Sequence, residues 1–217
     1  TEIYLFPYTT LFRSGIRGHV LKTAYASYWC ELLERWTEPE TPAPALFDLL
    51  VKSLAWLDAE ERPAGSASLL FQIHLLGQIG LSPDLSRCGG CGLTIRACTE
   101  NEAGFDLEKG RALCHNCRTR FSHVLSVSKG TLLELDWVQH HVIGIGQRMR
   151  FTRNGLREGL RLLEAFTPHH MGCQPRSLVF LRQVRSETDA APKRGRWVCG
   201  ENSAVKGNME TPEVIFE

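Results

Sequence analysis

Two Cys-x-x-Cys pairs constrain this 217-residue chain more than any other feature of its sequence. The first pair is Cys88 and Cys91, the second is Cys114 and Cys117, and 22 residues lie between the pairs. Each pair can fold into a tight turn that directs both sulfurs to one centre. Glycines in and after the first pair permit positive φ, which lets amide N–H groups approach the thiolates. Four thiolates form closed tetrahedral zinc sites, so the spacing predicts structural zinc bound by these four residues.

Other arrangements of these cysteines stay open, namely two disulfides, a redox pair and an iron site. Nothing in the sequence indicates an oxidising compartment, and no βαβ pattern surrounds either pair, so zinc is favoured. His115, inside the second pair, is an alternative ligand. The remaining four cysteines are expected to be spare, core or surface thiols: Cys30, Cys98, Cys173 and Cys199.

Apolar residues recur at helical spacing on both sides of the cysteine segment. The third of these segments is apolar nearly all round, which is typical of the central helix of a bundle, and Ser128 and Asn154 are candidate N-caps of two later ones. The expected helices run from Val20 to about Trp36 and over 45–58, 67–79, 128–140, 154–167 and 176–185.

The cysteine segment itself, residues 84–123, has no helical period and carries a turn signal at Lys109-Gly110. It therefore predicts loops and a short hairpin that brings the second cysteine pair to the first. The expected fold class is mainly α, a helical bundle with an inserted four-cysteine zinc knuckle and hairpin.

The two ends of the chain differ from the helical part. Residues 1–14 are aromatic-rich and unpatterned, and we expect a non-native segment translated from vector or adapter sequence, or a residual leader; a short first strand is the alternative. Residues 15–185 form the expected helical domain with its zinc insertion at 84–123. Residues 186–217 are polar, with little apolar pattern, and are expected to form a disordered tail.

Composition excludes several classes of protein. Hydrophobic residues make up 43% and charged residues 23% of the chain, which is ordinary for globular proteins and unlike collagen or a fully disordered chain. No apolar run approaches the ~18 residues of a membrane span, and the N-terminus lacks the pattern of a signal peptide, so a cytoplasmic protein is expected. The net charge of +1 hides a basic stretch, because residues 148–200 contain 11 Lys or Arg and 4 Asp or Glu.

Arginines in and before this stretch are candidate binding residues. Arg153, Arg157 and Arg161 recur every four residues and so form one stripe on the helix predicted over 154–167 and the residue that leads into it. The planar guanidinium donates two parallel hydrogen bonds to phosphate or carboxylate, which suits DNA or an acidic partner. A solvated helix face is the alternative. Further candidates lie outside the stripe: Arg118, Arg120 and Arg182.

Catalytic motifs give no comparable signal. The sequence has no phosphate-binding Walker loop, no G-x-S-x-G, no H-E-x-x-H and no dinucleotide-binding G-x-G-x-x-G after a strand. Its acidic residues form no recognisable constellation, and four thiolates leave a metal no open position for substrate. The chain is therefore not expected to be an enzyme.

The order of these features resembles the RecO family of bacterial recombination and repair mediators. The likeness covers residues 17–185 and includes a "G-x-x-P-x-L-x-x-C" leader into the first cysteine pair. Segments that carry it are 28–35, 45–50 and 71–88, the pairs Gly104-Phe105 and Leu113-Cys114, and the closing segments 172–178 and 180–181.

The resemblance implies an N-terminal OB-fold, a helical domain and often a four-cysteine zinc site. It also implies binding to single- and double-stranded DNA, to RecR and to the acidic C-terminal tail of single-stranded-DNA-binding protein. The implied function is strand annealing and RecA loading on covered DNA, in the cytoplasm with the nucleoid and away from membranes. This sequence departs from the pattern because residues 1–14 stand where the OB-fold should end, so DNA binding by the chain alone is expected to be weak.

Two rival functions differ in class from a repair mediator. One is a zinc-ribbon transcription or translation factor, whose ribbon would itself read nucleic acid and should be basic. This rival is disfavoured because residues 88–117 carry three basic and four acidic side chains. The basic ones are Arg96, Lys109 and Arg111, and the acidic ones are Glu100, Glu102, Asp106 and Glu108. The other rival is a thiol redox protein. Measurement of metal content and titration of the thiols would distinguish it from a zinc-binding protein.

Overall fold

A computed structural model describes residues 14–38, 41–59, 63–146 and 148–190. The segment 1–13, Cys199 and the part of the expected tail after residue 190 lie outside the described residues. None of the helices in the described ranges is long and apolar enough to cross a membrane.

Four helices precede the cysteine segment: α1 (Ser14–Arg17), α2 (Val20–Trp36), α3 (Pro44–Asp58) and α4 (Ala64–Gln78). Helix α2 has the bounds that its apolar period predicted. Helix α3 begins at Pro44. Proline is suited to the first helical position, because the N–H group that it lacks would have no partner within the helix there. Helix α4 begins directly after Pro63, three residues earlier than predicted.

A three-stranded antiparallel sheet follows, with strand order β2-β1-β3. The predicted hairpin is formed by β1 (Glu102–Asp106) and β2 (Arg111–Cys114). The edge strand β3 (Val124–Ser128) was not predicted, and its register on β1 pairs Gly104 with Ser126. A short helix α5 (His115–Arg118) carries the last cysteine of the cluster.

Four more helices complete the fold: α6 (Lys129–Gln139), α7 (Ile143–Gly146), α8 (Arg153–Met171) and α9 (Arg176–Ala190). Ser128 caps α6 as predicted, since its hydroxyl accepts a hydrogen bond from Thr131 N–H. The predicted cap Asn154 is wrong, because Thr152 accepts from Gly155 N–H instead. Helix α9 continues to Ala190, five residues beyond its predicted end. The mainly helical fold with an inserted four-cysteine segment confirms the predicted class.

Helix α4 is buried on all sides and joins two hydrophobic clusters. Phe71 and Leu75 belong to the cluster formed with α2, α3 and α9. Leu69, Leu70 and Ile73 belong to the cluster formed with α6, α8 and the sheet. This arrangement confirms the prediction of a central helix.

A buried polar network fixes α2 against α4. The Tyr28 hydroxyl donates to Gln72 Oε1 at 3.1 Å, and Trp29 Nε1 donates to Ser68 Oγ at 3.2 Å. Gln72 Nε2 also donates to Ser68 Oγ at 3.1 Å. Because the four side chains satisfy one another, burying them costs little, whereas an unpaired member would cost about 1–3 kcal/mol.

Helix α9 is anchored to α2 by a carboxylate at its N-terminus. Glu31 of α2 accepts hydrogen bonds from Arg176 N–H at 3.1 Å, from Ser177 N–H at 2.9 Å and from the Ser177 hydroxyl. Burial opposes the charge of Glu31, but these donors and the nearby Arg35 outweigh it and lower the pKa of Glu31 below its ordinary value. A negative charge here also complements the helix dipole.

Replacing this carboxylate tests the anchor. We expect Glu31→Gln to lower the free energy of unfolding by about 1–2 kcal/mol at neutral pH, since charged acceptors form the stronger hydrogen bonds. Because folding lowers the pKa of Glu31, its contribution is present above the ordinary glutamate pKa of about 4.3 and is lost as the pH falls through the folded-state value. Denaturant titrations at several pH values measure this difference.

The matched control is Glu34→Gln, an exposed glutamate one turn further along α2. It should leave stability nearly unchanged across the pH range. Equal losses from the two substitutions would show that the Glu31 anchor contributes nothing specific.

Candidate metal centre and arginine surface

Four cysteine sulfurs come together between the two predicted knuckles. Cys88 and Cys91 lie in the loop after α4, Cys114 ends β2 and Cys117 lies in α5. Their sulfur atoms all lie within 4.8 Å of one another, and Cys91 Sγ is 3.9 Å from Cys114 Sγ. Tetrahedral zinc with Zn–S bonds of ~2.3 Å requires sulfurs ~3.8 Å apart. The four cysteines can therefore hold a metal ion.

Backbone turns shape the first knuckle. Gly92 N–H donates to Cys88 O and Cys88 N–H donates to Leu93 O, both at 2.8 Å. Of the three glycines expected to adopt positive φ, only Gly92 does so, at 75°. Gly90 is required by space instead, because a Cβ at this position would lie 2.9 Å from Cys117 Sγ.

The first knuckle docks on the hairpin through main-chain hydrogen bonds. Asp84 N–H donates to Gly110 O at 2.8 Å, and Ala112 N–H donates back to Asp84 O at 2.7 Å. Gly89 N–H donates to Ala112 O at 2.8 Å. Cys88 and Cys91 are therefore aligned with Cys114 by the backbone as well as by any bound metal.

An ion pair stabilises the turn of the hairpin. Asp106, only 4% exposed, accepts from Glu108 N–H and Lys109 N–H at 3.1 and 3.2 Å. Its other oxygen lies 3.3 Å from Arg111 Nε. Arg111 also packs against Gly89, where a Cβ would lie 2.2 Å from Arg111 Cδ. The Asp106–Arg111 pair thus links the turn to the first knuckle.

Protonation differs within the cluster. Burial disfavours the Cys88 thiolate, but N–H donors of Cys114, Cys91 and Gly90 outweigh it and lower the pKa of Cys88 to about 6. Burial and the neighbouring sulfurs raise the pKa of Cys117 to about 12. One thiolate is thus stabilised by the backbone, whereas further thiolates repel it. A divalent cation would offset this repulsion and displace the remaining protons.

The other sulfurs and the alternative ligand lie apart from this group. His115 Nδ1 is 3.6 Å from Glu102 Oε2 and is not part of the cluster. Cys98 Sγ lies 3.7 Å from Thr94 O, and Cys30 and Cys173 are partly buried elsewhere. Burial, reinforced by Glu34, raises the pKa of Cys30 to about 11, so this thiol is protonated at neutral pH.

Two of the predicted arginines meet at the edge strand. Arg161 of α8 donates to Ser126 O, and Arg118 of α5 donates to Ser126 Oγ at 3.2 Å. Arg118 also forms an ion pair with Glu102. Ser126 therefore lies between a guanidinium from the metal centre and one from α8.

The remaining predicted arginines differ in how far they are already engaged. Arg157 donates to Asn154 Oδ1 at 2.8 Å, whereas Arg120 and Arg153 are exposed and bind no side chain among the described residues. Arg182 contacts Glu164, donating to its backbone oxygen at 3.0 Å. Among the described residues, Arg120 and Arg153 therefore have side chains without a side-chain partner, whereas the side chain of Arg182 is bound to Glu164.

Comparison with known proteins gives the family. Residues 17–178 match the family model described as "Recombination protein O C terminal". The chain belongs to the RecO family. It is 33% identical over 172 residues to the DNA repair protein RecO of Desulfatibacillum aliphaticivorans and 32% identical over 175 residues to that of Desulfosudis oleivorans. Each alignment covers 79% of this chain and 67% of the relative.

A more distant relative of the same name occurs in Bacillus pumilus, 26% identical over 171 residues that cover 79% of this chain and 64% of the relative. The chain thus spans about two thirds of the length of these RecO proteins. The matched range contains the cysteine cluster and the α8 arginine stripe, whereas Arg182 lies beyond it.

Sequence analysis missed two carboxylates of this chain that have structural roles, Glu158 and Glu164. Glu158 Oε2 accepts from Ser128 N–H at 2.8 Å and from the hydroxyls of Ser128 and Thr131, both at 2.7 Å. Burial disfavours its charge, but these donors lower the pKa of Glu158 below its ordinary value. Glu164, 3% exposed, accepts two hydrogen bonds from Arg185 at 2.7 and 2.8 Å. Sequence analysis could have found these carboxylates from the position of a glutamate next to the apolar stripe of α8.

The metal centre can be tested directly. We expect protein purified under reducing conditions to contain one divalent metal ion per chain. Cys117→Ser should lose the ion and loosen residues 84–123, whereas the helices should persist because they bury their own apolar faces. Metal affinity should also fall as the pH is lowered, because protons compete for the thiolates. Elemental analysis and circular dichroism provide the measurements.

Cys98→Ser is the matched control, since it removes a nearby thiol that is outside the cluster. It should retain the ion. Metal-free protein under reducing conditions, or equal loss of metal from both variants, would contradict the assignment.

Proposed function

We propose that this chain is the helical and zinc-binding part of a recombinational DNA repair mediator that acts in strand annealing and RecA loading. The match of residues 17–178 to the RecO C-terminal family carries the proposal, together with the four-cysteine cluster inside that range. The proposed partners are RecR, single- and double-stranded DNA, and the acidic C-terminal tail of single-stranded-DNA-binding protein. RecA is a functional partner, and the proposed location is the cytoplasm with the nucleoid.

Zinc is the proposed ion, and its role is structural. Cys88, Cys91, Cys114 and Cys117 supply four soft thiolates, the set that suits zinc in a closed tetrahedral site. Such a site leaves no coordination position for water or substrate. The proposed action is therefore binding and positioning of partners, without catalysis by the metal.

The domain organisation proposed for the chain follows the same plan. Residues 15–185 constitute a RecO-like helical domain, and residues 84–123 constitute its zinc insertion. Strand β1 of the insertion pairs with β3, the strand that directly follows it, and Glu158 and Arg161 of α8 bind β3.

The start of α8 is the proposed docking site for the acidic tail. Arg157, Glu158 and Arg161 line a surface depression of about 360 Å³. Glu158 is directed to Ser128 and Thr131, so its charge is already paired with hydrogen-bond donors. The arginines therefore set the charge that a ligand meets here, and exposed Arg153 extends it by one turn. Guanidinium groups bind carboxylates in two-pronged geometry, which suits a peptide rich in aspartate.

A titration with an acidic tail peptide tests this site. We expect Arg153→Ala, Arg157→Ala and Arg161→Ala each to raise Kd by about five- to 150-fold, as the loss of one charge-assisted contact of about 1–3 kcal/mol implies. Fluorescence anisotropy of a labelled peptide provides the measurement.

The matched control is Arg96→Ala, which removes an exposed arginine of the proposed zinc insertion that pairs with no side chain in the part of the chain that the structure describes. It should bind like the parent chain. If all three α8 variants also bind like the parent, the docking face lies elsewhere, with Arg118, Arg120 or Arg182 as the next candidates.

Nucleic-acid reading by the zinc insertion itself is less well supported. Within residues 88–117, two of the three basic side chains form ion pairs, Arg111 with Asp106 and Lys109 with Glu108. Arg118, directly after the insertion's last cysteine, pairs with Glu102. This pairing disfavours a zinc-ribbon transcription or translation factor, whose basic groups would have to be available for phosphates.

DNA binding by this chain alone should be weak and dependent on salt. We expect affinity for a single-stranded oligonucleotide to fall steeply between about 50 and 200 mM salt, because phosphate contacts release counterions. A chain with an OB-fold joined before residue 15 should bind much more tightly. Anisotropy titrations of both proteins test this, and tight, salt-resistant binding by the 217-residue chain would contradict it.

A further inference from the structure

The four cysteines of the cluster differ sharply in their exposure to solvent. Cys88, Cys114 and Cys117 are 2%, 6% and 5% exposed, whereas Cys91 is exposed. In a closed four-thiolate site, the accessible sulfur is the one that a small reagent in solution can reach first.

Neighbouring atoms explain the difference. Cys88 Sγ is covered by the N–H groups of Gly90 and Cys114, at 3.4 and 3.2 Å. Cys117 lies under Gly90, whose Cβ position is 2.9 Å from Cys117 Sγ. Cys91 precedes Gly92 at the tip of the first knuckle, and among the described residues nothing apart from the two chain neighbours of Gly92 lies within 4 Å of its Cβ position. The tip of this knuckle is therefore open on the side of Cys91.

We propose that Cys91 is a site of reversible oxidation by hydroperoxides, and that it then forms a disulfide with Cys114. The inference rests on the proposed zinc site, since the disulfide removes two of its four ligands and so releases the metal. The cluster would thus lose its ion under oxidative conditions.

The two chemical steps balance with a hydroperoxide as the oxidant. The Cys91 thiolate attacks one oxygen of hydrogen peroxide, the O–O bond breaks, and a sulfenic acid and hydroxide form. The Cys114 thiolate then attacks the Cys91 sulfur, the S–S bond forms, and the S–O bond breaks to release a second hydroxide. Two thiolates have lost two electrons to one peroxide, and solvent protons convert both hydroxides to water.

Cys114 is a partner within reach of Cys91. Their sulfurs are 3.9 Å apart before any rearrangement. The main-chain hydrogen bonds from Asp84 and Gly89 to the hairpin do not depend on metal, so they keep the first knuckle beside β2 when the ion leaves. The oxidised cluster should therefore stay docked, and a thiol reductant with zinc should restore it.

Cys98 is the competing thiol near the cluster. It is partly buried, its sulfur contacts Thr94 O at 3.7 Å, and it lies outside the group of four. Its removal leaves every proposed ligand in place, which makes Cys98→Ser the matched control for the oxidation experiment.

The experiment treats zinc-loaded protein with hydrogen peroxide after its metal content has been measured. A chromophoric chelator follows zinc release, dimedone traps sulfenic acid, and non-reducing tryptic mapping with fragmentation locates the disulfide. Cleavage after Arg87, Arg96, Arg111 and Arg118 places Cys88 and Cys91 in peptide 88–96, and Cys114 and Cys117 in peptide 112–118.

We expect the first dimedone adduct at Cys91, at least about tenfold faster than at Cys88, Cys114 or Cys117. One zinc per chain should be released as peptides 88–96 and 112–118 become joined through Cys91 and Cys114. Dithiothreitol with added zinc should reverse both changes, and Cys98→Ser should behave identically.

Other results would overturn the proposal. These are a first adduct at Cys98 or Cys30, a disulfide within peptide 88–96 or within peptide 112–118, or zinc release that Cys98→Ser abolishes. Protein without metal at the start would refute the zinc site separately, and the peptide map would still decide whether Cys91 is oxidised first and pairs with Cys114.

Discussion

The enclosure of α4 is the constraint on which the other elements depend. One side of this helix packs on α2, α3 and α9, and the other packs on α6, α8 and the sheet. Gly159 of α8 allows this close approach, because a Cβ there would lie 2.7 Å from Leu69 Cδ1. Separating either side from α4 would expose apolar surface, and separating α2 would also break the hydrogen bonds of Ser68 and Gln72 to Trp29 and Tyr28. The part of the chain that contains the four-cysteine cluster is therefore coupled to the N-terminal helices through a buried helix.

Charged side chains of α8 connect the three-stranded sheet next to the four-cysteine cluster to the helical part. Glu158 and Arg161 bind the outward-facing main-chain groups of Ser128 and Ser126 on the edge strand. An edge strand otherwise offers unpaired N–H and C=O groups to other chains, and charged side chains reduce that risk. The arginine stripe that is proposed to bind the acidic tail thus contains one residue, Arg161, that binds the edge strand, and another, Arg153, that is exposed to solvent.

Local patterns predicted much of this fold, and contacts distant in sequence account for the rest. The apolar period of α2 and the cap at Ser128 were predictable because both depend on neighbouring residues. Strand β3 was missed because five residues with a weak alternation become a strand only by pairing with β1. Thr152 rather than Asn154 caps α8, where Glu134 of α6 also accepts from Thr152 N–H at 3.4 Å. The cysteine cluster was predicted by spacing, whereas the engagement of Arg182 by Glu164 depends on tertiary packing.

Pro168 lies inside α8, and its lack of an N–H leaves the carbonyl of Glu164 without a helical partner. Arg182 of α9 supplies the missing donor at 3.0 Å, while Arg185 binds the carboxylate of the same residue. Positions 168 and 182 should therefore co-vary among homologues. A lineage that loses the proline regains its own helical hydrogen bond, and selection on the arginine at 182 is then relaxed.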